Sequence, residues 1–122
     1  MTDSLNKVLR IGQLYDFYNA LLTDKQQQCL NMHYLQDFSL AEIAEEFGVS
    51  RQAVHDILRR AELMLEEYEE KLGLVSRYRK ERLIIDEIYK MVSNFPEPAR
   101  KLPEINLVLE KLQYLLDDAR EV

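Results

Sequence analysis

The sequence predicts an all-α protein, and three observations lead to that prediction. Only three glycines and three prolines occur in 122 residues, and the prolines all fall within eight positions, from Pro96 to Pro103. Apolar residues recur at helical spacing in the long segments between these breakers. Capping sequences of the form Ser/Thr-x-x-Glu/Gln divide the first half of the chain into shorter helices. We therefore expect about six helices and no sheet.

Composition limits the class of protein. Hydrophobic residues make up 47% of the chain and charged residues 31%, as in a packed globular domain. No apolar run approaches the roughly 18 residues that cross a bilayer, and the N-terminus lacks a signal-peptide pattern. With a single cysteine, Cys29, we expect a cytoplasmic protein without membrane insertion. The net charge of −6 argues against a protein that coats DNA by bulk attraction.

The first two helices are expected before residue 36. The first, over residues 4 to 22, has one apolar face formed by Leu5, Val8, Leu9, Gly12, Tyr15, Tyr18 and Leu22. That face is widened by Ile11, Leu14, Phe17 and Leu21. Thr23 and Gln26 form a capping box for the second helix, which runs through Tyr34 and stops at "LQDF".

The stretch "SLAEIAEEFGVSRQAVHDILRRA", residues 39 to 61, predicts a helix-turn-helix. Ser39 and Glu42 cap its first helix, whose buried side is expected to comprise Ile43, Ala44 and Phe47. Gly48 occupies the turn, where a positive φ favours glycine, and Ser50 caps the second helix. The core-facing stripe of that second helix is predicted to be Val54, Ile57, Leu58 and Ala61.

The outward face of this helix supplies the candidate nucleic-acid-binding residues. These are Ser50, Arg51, Gln52, His55 and Arg59. Arg51 suits bidentate pairing with guanine and Gln52 with adenine, while Ser50 and the first free N–H groups suit a phosphate. Against this, Asp56 shares the face, and residues 23 to 66 hold four Lys/Arg and eight Asp/Glu. A solvated face on a purely structural helix pair therefore stays open as the alternative.

A resemblance to known families adds a functional expectation. "LTDKQQQCLNMHYLQDFSLAEIAEEFGVSRQAVHDILRRAE" resembles region 4 of bacterial sigma factors, a four-helix DNA-binding unit. From "RIGQLYDFYNALLTDKQ" to "LGLVSRY" the chain more closely resembles the YlxM family of small bacterial proteins. That resemblance implies a regulatory or accessory protein of the signal recognition particle pathway, whose partner is the particle's GTPase or its RNA. The alternative is a sequence-specific, DNA-binding transcriptional regulator.

Residues 73 to 122 are expected to form a helical extension of a helix-turn-helix domain at residues 1 to 72. A helix with one apolar face is marked by Leu74, Tyr78, Ile85, Ile88 and Val92. After the connector "NFPEPARKLP", a final amphipathic helix carries Ile105, Val108, Leu109, Leu112, Leu115 and Leu116. Such a helix has to bury its apolar stripe, so we expect a homodimer formed through these helices.

The basic segment "RYRKER", residues 77 to 82, provides weaker nucleic-acid-binding candidates. These are Arg77, Arg79, Lys80 and Arg82, with Tyr78 placed to stack on a base. We favour the other interpretation, in which the segment pairs with the acidic run at residues 62 to 70, across helices or across a dimer.

Catalytic chemistry has little support in the sequence. No phosphate-binding loop, dinucleotide fingerprint or H-E-x-x-H motif is present. Cys29 and His33, four residues apart, share a helical face, but a zinc site takes about four ligands and no second pair is evident. We therefore expect packing roles for both residues, and neither an enzyme nor a bound cofactor or metal.

Overall fold

The structure is a computed structural model that describes residues 2–117, with side chains from Ser4 onward, and within this range the protein is all-α as predicted. The α-helices are α1 (Thr2–Tyr18), α2 (Asp24–Leu30), α3 (Leu40–Phe47), α4 (Arg51–Leu72), α5 (Leu74–Ser93) and α6 (Pro103–Leu116). Short 3₁₀ turns follow α1 and precede α6, at Asn19–Leu21 and Ala99–Lys101, and a π-helical turn, Asn31–Leu35, extends α2. The chain divides into two compact units, one ending at Val75 and the other beginning at Ser76.

Side-chain caps fix where α2, α3 and α4 begin. In both predicted capping boxes, Thr23 with Gln26 and Ser39 with Glu42, each partner accepts from the other's backbone N–H at 2.9–3.2 Å. Ser50 Oγ accepts a hydrogen bond from the N–H of the third residue of α4 at 3.0 Å. Each cap satisfies a backbone donor that has no partner within its helix.

The turn between α3 and α4 has the predicted left-handed geometry. Gly48 has φ = 66°, and the N–H of Val49 donates to the carbonyl of Ala44 at 3.0 Å. This bond spans the turn and closes the end of α3. Gly73, with φ = 63°, ends α4 in the same conformation. Gly48 therefore ends α3, and Gly73 ends the longest helix, α4.

A single hydrophobic core lies inside the first unit, and α4 packs against α1, α2 and α3 around it. The predicted inward stripe of α4 is confirmed, since Val54, Leu58 and Ala61 are buried and Ile57 is half-buried. The remaining buried residues are Ile11, Leu14, Tyr18, Leu22, Cys29, Leu30, Ile43, Ala44, Leu65 and Val75.

The predicted apolar face of α1 is wrong in its first two turns. Leu5, Val8 and Leu9 are exposed. The side of α1 that faces α4 carries Lys7 and Arg10 in these turns, and their cationic groups lie 3.1 and 2.9 Å from carboxylate oxygens of α4. Apolar residues occur on more than one side of this helix, so periodicity alone did not select the packed side.

Phe47 also differs from the prediction, because its ring is half-buried at the edge of the core. It lies beside Phe38 and Met32 in a shallow cleft that opens to solvent. Lys25 Nζ lies over the ring, 5.9 Å from its centroid. Ile43 and Ala44, one turn earlier, are buried as predicted.

The second unit consists of most of α5, the connector and α6. The guanidinium of Arg82 donates to the carbonyl of Leu116 at 2.7 Å, and that of Arg100 donates to the carbonyl of Ser93 at 2.9 Å. These bonds join the middle of α5 to the end of α6, and the end of α5 to the connector, so the two helices run antiparallel. None of residues 76–117 is buried.

The single apolar faces predicted for α5 and α6 were too broad. On α5, Tyr78, Ile85 and Val92 are half-buried while Ile88 is exposed. On α6 the half-buried residues are Ile105, Leu109, Leu112 and Leu116, whereas Val108 and Leu115 are exposed. A helix that contacts one neighbour covers only a narrow stripe, so apolar residues beside that stripe stay outside.

Candidate nucleic-acid interface

The first three turns of α4 carry the predicted candidates on one exposed side. Arg51, His55 and Arg59 follow each other at four-residue spacing along the helix, and Gln52 lies on the neighbouring stripe. All four are exposed. The buried stripe on the opposite side of α4 holds this face in a fixed orientation relative to α3.

Asp56 occupies the middle of the face and engages its neighbours. Its carboxylate accepts from Gln52 Nε2 at 3.1 Å and lies 3.7 Å from His55 Nδ1. An amide that reads adenine has to present both its oxygen and its nitrogen to the base, so the contact with Asp56 competes with that use. The carboxylate also repels phosphate groups that approach the face.

Ser50 combines two functions at the N-terminus of α4. Its Oγ accepts the hydrogen bond that caps the helix, and this leaves its hydroxyl group able to donate to another acceptor. The N–H groups of Arg51 and Gln52 lie in the first turn, where no intrahelical acceptor exists. This end of the helix therefore offers hydrogen-bond donors and a favourable dipole to an anion.

Two cationic residues missed by the sequence reasoning flank the face. Arg60 follows Gln52 and Asp56 at four-residue spacing, and Lys25 at the start of α2 lines the same shallow groove as Asp56 and Arg60. The spacing of Arg60 was readable from the sequence. The position of Lys25 depends on how α2 packs against α4, so the sequence carried no signal for it.

A network of partly buried polar side chains lies at the edge of the α4 face, on the side away from Lys25 and Arg60. The carboxylate of Glu62 accepts from the Tyr34 hydroxyl at 2.7 Å and lies 3.1 Å from Lys7 Nζ. Burial, together with the Glu62 carboxylate, raises the pKa of Tyr34. The network joins α1 and the π-helical turn to α4 beside Arg59. Glu62 thus belongs to the structural support of the face rather than to its free surface.

The weaker candidates on α5 do not form one patch. Arg77 pairs with Glu81 at 3.1 Å. The guanidinium of Arg82 donates to the Tyr78 hydroxyl at 3.1 Å as well as to the end of α6, which gives both side chains a structural contact.

Arg79 and Lys80 are exposed, but the helical repeat sends them to different sides of α5. Two of the four cations thus have contacts inside the second unit, and the other two do not face the same way. Two residues of the acidic run at 62 to 70 pair instead with cations of α1. Glu66 lies 2.9 Å from Arg10, and Glu62 lies 3.1 Å from Lys7.

Cys29 and His33 occupy packing positions. Cys29 is fully buried, and this burial raises the pKa of its thiol. His33 Nδ1 lies 2.9 Å from the carbonyl oxygen of Phe38, and its ring meets that of Tyr34 edge-on. Within residues 2–117 no group of three or more His, Cys, Asp or Glu side chains converges on a possible metal position. None of the helices in this range is both long and apolar enough to span a membrane.

Known proteins resemble this chain over most of its length. A family model described as "Putative helix-turn-helix protein, YlxM / p13 like" (UPF0122) matches residues 5–105. A UPF0122 protein of Geobacillus kaustophilus is 54% identical over 89 residues, which are 73% of this chain and 81% of that protein. A UPF0122 protein of Bacillus cereus strain AH187 is 43% identical over 108 residues, 88% of this chain and 98% of that protein. The family match includes all of α2, α3 and α4.

Proposed function

Because the chain belongs to the UPF0122 family of YlxM/p13-like helix-turn-helix proteins, we propose that it is a cytoplasmic accessory protein of the signal recognition particle pathway. Its partner in this role is the particle's GTPase or its RNA, and its effect is to modulate the cycle of GTP hydrolysis. The protein acts by binding, through a preformed helical surface, rather than by catalysis of its own.

The observation that carries this proposal is the mixed charge of the α4 face. Arg51 and Arg59 lie on either side of His55 along one stripe, while Asp56 on the next stripe engages Gln52. Duplex DNA presents negative phosphates on both sides of a groove, and groove-reading domains are generally basic over their footprint. This surface, which carries both cations and a carboxylate, therefore suits a folded partner with hydrogen-bond donors and acceptors better than it suits duplex DNA.

The proposal is tested by titrating the full chain against three ligands at two salt concentrations. The ligands are the particle's purified GTPase, the particle's RNA and a random DNA duplex of equal length. We expect saturable binding to the GTPase or the RNA at physiological salt, with a change in the rate of GTP hydrolysis. Duplex binding should appear only at low salt, because it depends on phosphate neutralisation. Binding to neither particle component would contradict the proposal.

A matched pair of variants locates the binding surface. Arg51→Ala removes one exposed cation from the α4 face, and Lys90→Ala removes one from α5, where Lys90 pairs with Asp86 at 2.9 Å. A loss of affinity confined to Arg51→Ala would assign the contact to the α4 face. If neither change matters, the combined replacement of Arg77, Arg79 and Lys80 by alanine, which keeps the bond from Arg82 to α6, asks whether an RNA contact depends on α5.

A second candidate function, sequence-specific regulation of transcription, is supported by the N-terminal end of α4. Arg51 is exposed directly after the Ser50 cap, next to a left-handed turn at Gly48, as in helices that enter the major groove. If this function holds, selection from random duplexes will recover one recurrent sequence. Arg51→Ala should then cost roughly 1–3 kcal/mol and relax the preference at one base position.

A further inference from the structure

The second unit exposes an apolar surface that nothing within the unit covers. None of residues 76–117 is buried. The large hydrophobic side chains exposed there are Leu83, Ile84, Ile88, Met91, Phe95, Leu102, Leu107, Val108, Tyr114 and Leu115. Two antiparallel helices without a buried side chain have little to stabilise them, since burial of apolar area is the main favourable contribution to folding.

Six of these side chains share one side of the helix pair. Ile84, Ile88 and Met91 follow each other at helical spacing on α5, about a quarter of a turn from its half-buried stripe. Phe95 comes just after the end of α5, where its N–H donates to the carbonyl of Val92 at 3.2 Å. On α6, Val108 and Leu115 lie about a quarter of a turn from the half-buried stripe, in the same direction of rotation about the helix axis. Because the helices are antiparallel, both displacements lead to the same side. We call these six residues the open face.

The open face presents more than half of the area that a standard protein interface buries on each partner. Its side chains are between 40 and 67% exposed. Together they present roughly 500 Å² of apolar surface, which is at the upper end for a single patch on a monomeric protein. A standard protein interface buries roughly 800 Å² per partner, so polar residues around the face have to supply the remaining area.

The charges beside the open face complement each other in two copies of the chain. Glu104 and Lys111 lie on α6 at one-turn spacing to either side of Val108, and both are exposed. Within residues 2–117 neither has an ion-pair partner. When α6 packs antiparallel to α6 of another copy about Val108, Glu104 of each copy lies opposite Lys111 of the other.

The apolar stripe of α5 fits the same axis. The bond from Arg82 to the carbonyl of Leu116 sets the register of the two helices. In this register the middle of the stripe, between Ile88 and Met91, is level with Val108. One two-fold axis therefore brings Ile88 opposite Met91 of the other copy and Glu104 opposite Lys111.

We infer that the open face is the homodimer interface, in which a second copy of this chain packs antiparallel on Ile84, Ile88, Met91, Phe95, Val108 and Leu115. The assembled interface is a four-helix arrangement with an apolar centre and two symmetry-related Glu104–Lys111 pairs at its edge. This inference goes beyond the proposed function, because it concerns the second unit and needs neither nucleic acid nor GTPase.

The inference is tested by sedimentation of the full chain over a roughly hundredfold range of concentration, since dimers dissociate on dilution. The interface variant carries Ile88→Glu and Val108→Glu. The control carries Leu83→Glu and Leu107→Glu, which lie on the outer edges of the same two helices and are more exposed. We expect dimers for the wild type and the control, and monomers for the interface variant. A monomeric wild type at every concentration, or a dimeric interface variant, would overturn the inference.

Charge reversal keeps the inference testable if circular dichroism shows that the interface variant does not fold. Glu104→Lys or Lys111→Glu alone should weaken the dimer roughly tenfold, because each change replaces two attractive pairs by two repulsive ones. The two changes together should restore it. A double variant no tighter than the single ones would show that these residues do not face each other. Binding to the particle's GTPase or RNA, measured separately, distinguishes this failure from failure of the proposed function.

Discussion

Asp56 is the residue at which the α4 face departs from an ordinary DNA-reading helix. Its carboxylate accepts from Gln52 and lies near His55, and all three side chains are exposed. An exposed contact of this kind, at four-residue spacing, contributes only about 0.2–0.5 kcal/mol to helix stability. The residue therefore affects the electrostatic field of the face far more than it affects the fold.

Replacing this carboxylate should improve binding to nucleic acid. We expect Asp56→Asn to tighten binding to a random duplex at low salt, and to change the free energy of unfolding by less than about 0.5 kcal/mol. Glu110→Gln, which neutralises one exposed carboxylate on α6, is the control and should leave duplex affinity near that of the wild type. Fluorescence titration at two salt concentrations provides the measurement. Equal affinities for the wild type and Asp56→Asn would mean that this face does not approach the duplex.

Ile43 and Phe47, both on α3, should differ in their contribution to stability. Ile43 is fully buried, so Ile43→Ala is expected to cost roughly 2–5 kcal/mol. Phe47 is half-buried, so Phe47→Ala should cost less than the roughly 3–5 kcal/mol that full burial of its ring would imply. Urea unfolding of both variants checks the order. A larger loss for Phe47→Ala would place that ring inside the core after all.

At the scale of the elements, the helix boundaries arise from two kinds of contact. Local caps begin α2, α3 and α4, and each cap lies within three residues of the helix that it starts. The start of α5 is different. The N–H of Leu74 donates to the Tyr18 hydroxyl at 3.1 Å, and the N–H of Val75 donates to Glu69 Oε1 at 3.0 Å. Tyr18 itself donates to Glu69 at 2.6 Å, so α1 and α4 together cap α5.

Glycine substitutions separate backbone conformation from packing in the helix-turn-helix. Open space surrounds both Gly12 in α1 and Gly48 in the turn, since no heavy atom outside the immediate chain lies within 4 Å of an added Cβ. Gly48→Ala should nevertheless cost roughly 1–2 kcal/mol, because alanine resists the positive φ. Gly12→Ala should stabilise by roughly 0.5–1 kcal/mol, because glycine is a poor helix former. Thermal unfolding of the two variants should therefore shift in opposite directions, and shifts of the same sign would contradict the turn geometry.

At the scale of the whole molecule, burial is distributed unevenly between the two units. All of the buried residues in the described part of the chain belong to the unit that ends at Val75. The second unit has hydrogen bonds at both ends of its helix pair but no buried side chain. Segments with few buried contacts open at a lower free energy than core helices do. The two units should therefore differ in local stability.

Amide hydrogen exchange measures this difference directly. In dilute protein, amides of residues 80–92 and 105–115 should exchange faster than those of residues 54–65 in α4. Raising the protein concentration should slow exchange in the first two segments, because dimer formation covers the open face, and should leave α4 almost unchanged. Equal protection in dilute protein would contradict the uneven distribution of burial. Protection that does not depend on concentration would contradict the dimer alone.

The sequence by itself determined the fold class, the caps and the helix-turn-helix. These features depend on interactions within a few residues, such as the Ser39 and Ser50 caps and the positive φ of Gly48, so local patterns identify them. The inward stripe of α4 was equally predictable. In the part of α4 that belongs to the helix-turn-helix, the large apolar residues all lie on one side. The family was also recognisable, and its match at residues 5–105 includes this motif.

Only the tertiary structure decided which apolar residues are covered and which charges are free. Periodicity identifies the apolar sides of α1, α5 and α6 but cannot tell which side meets a neighbour, so Leu5, Ile88 and Val108 were assigned to packed faces and are exposed. The pairing of Lys7 with Glu62 and the placement of Lys25 beside Arg60 join residues that are far apart in the chain. Such contacts depend on how whole helices pack against one another, and no local pattern in the sequence records that packing.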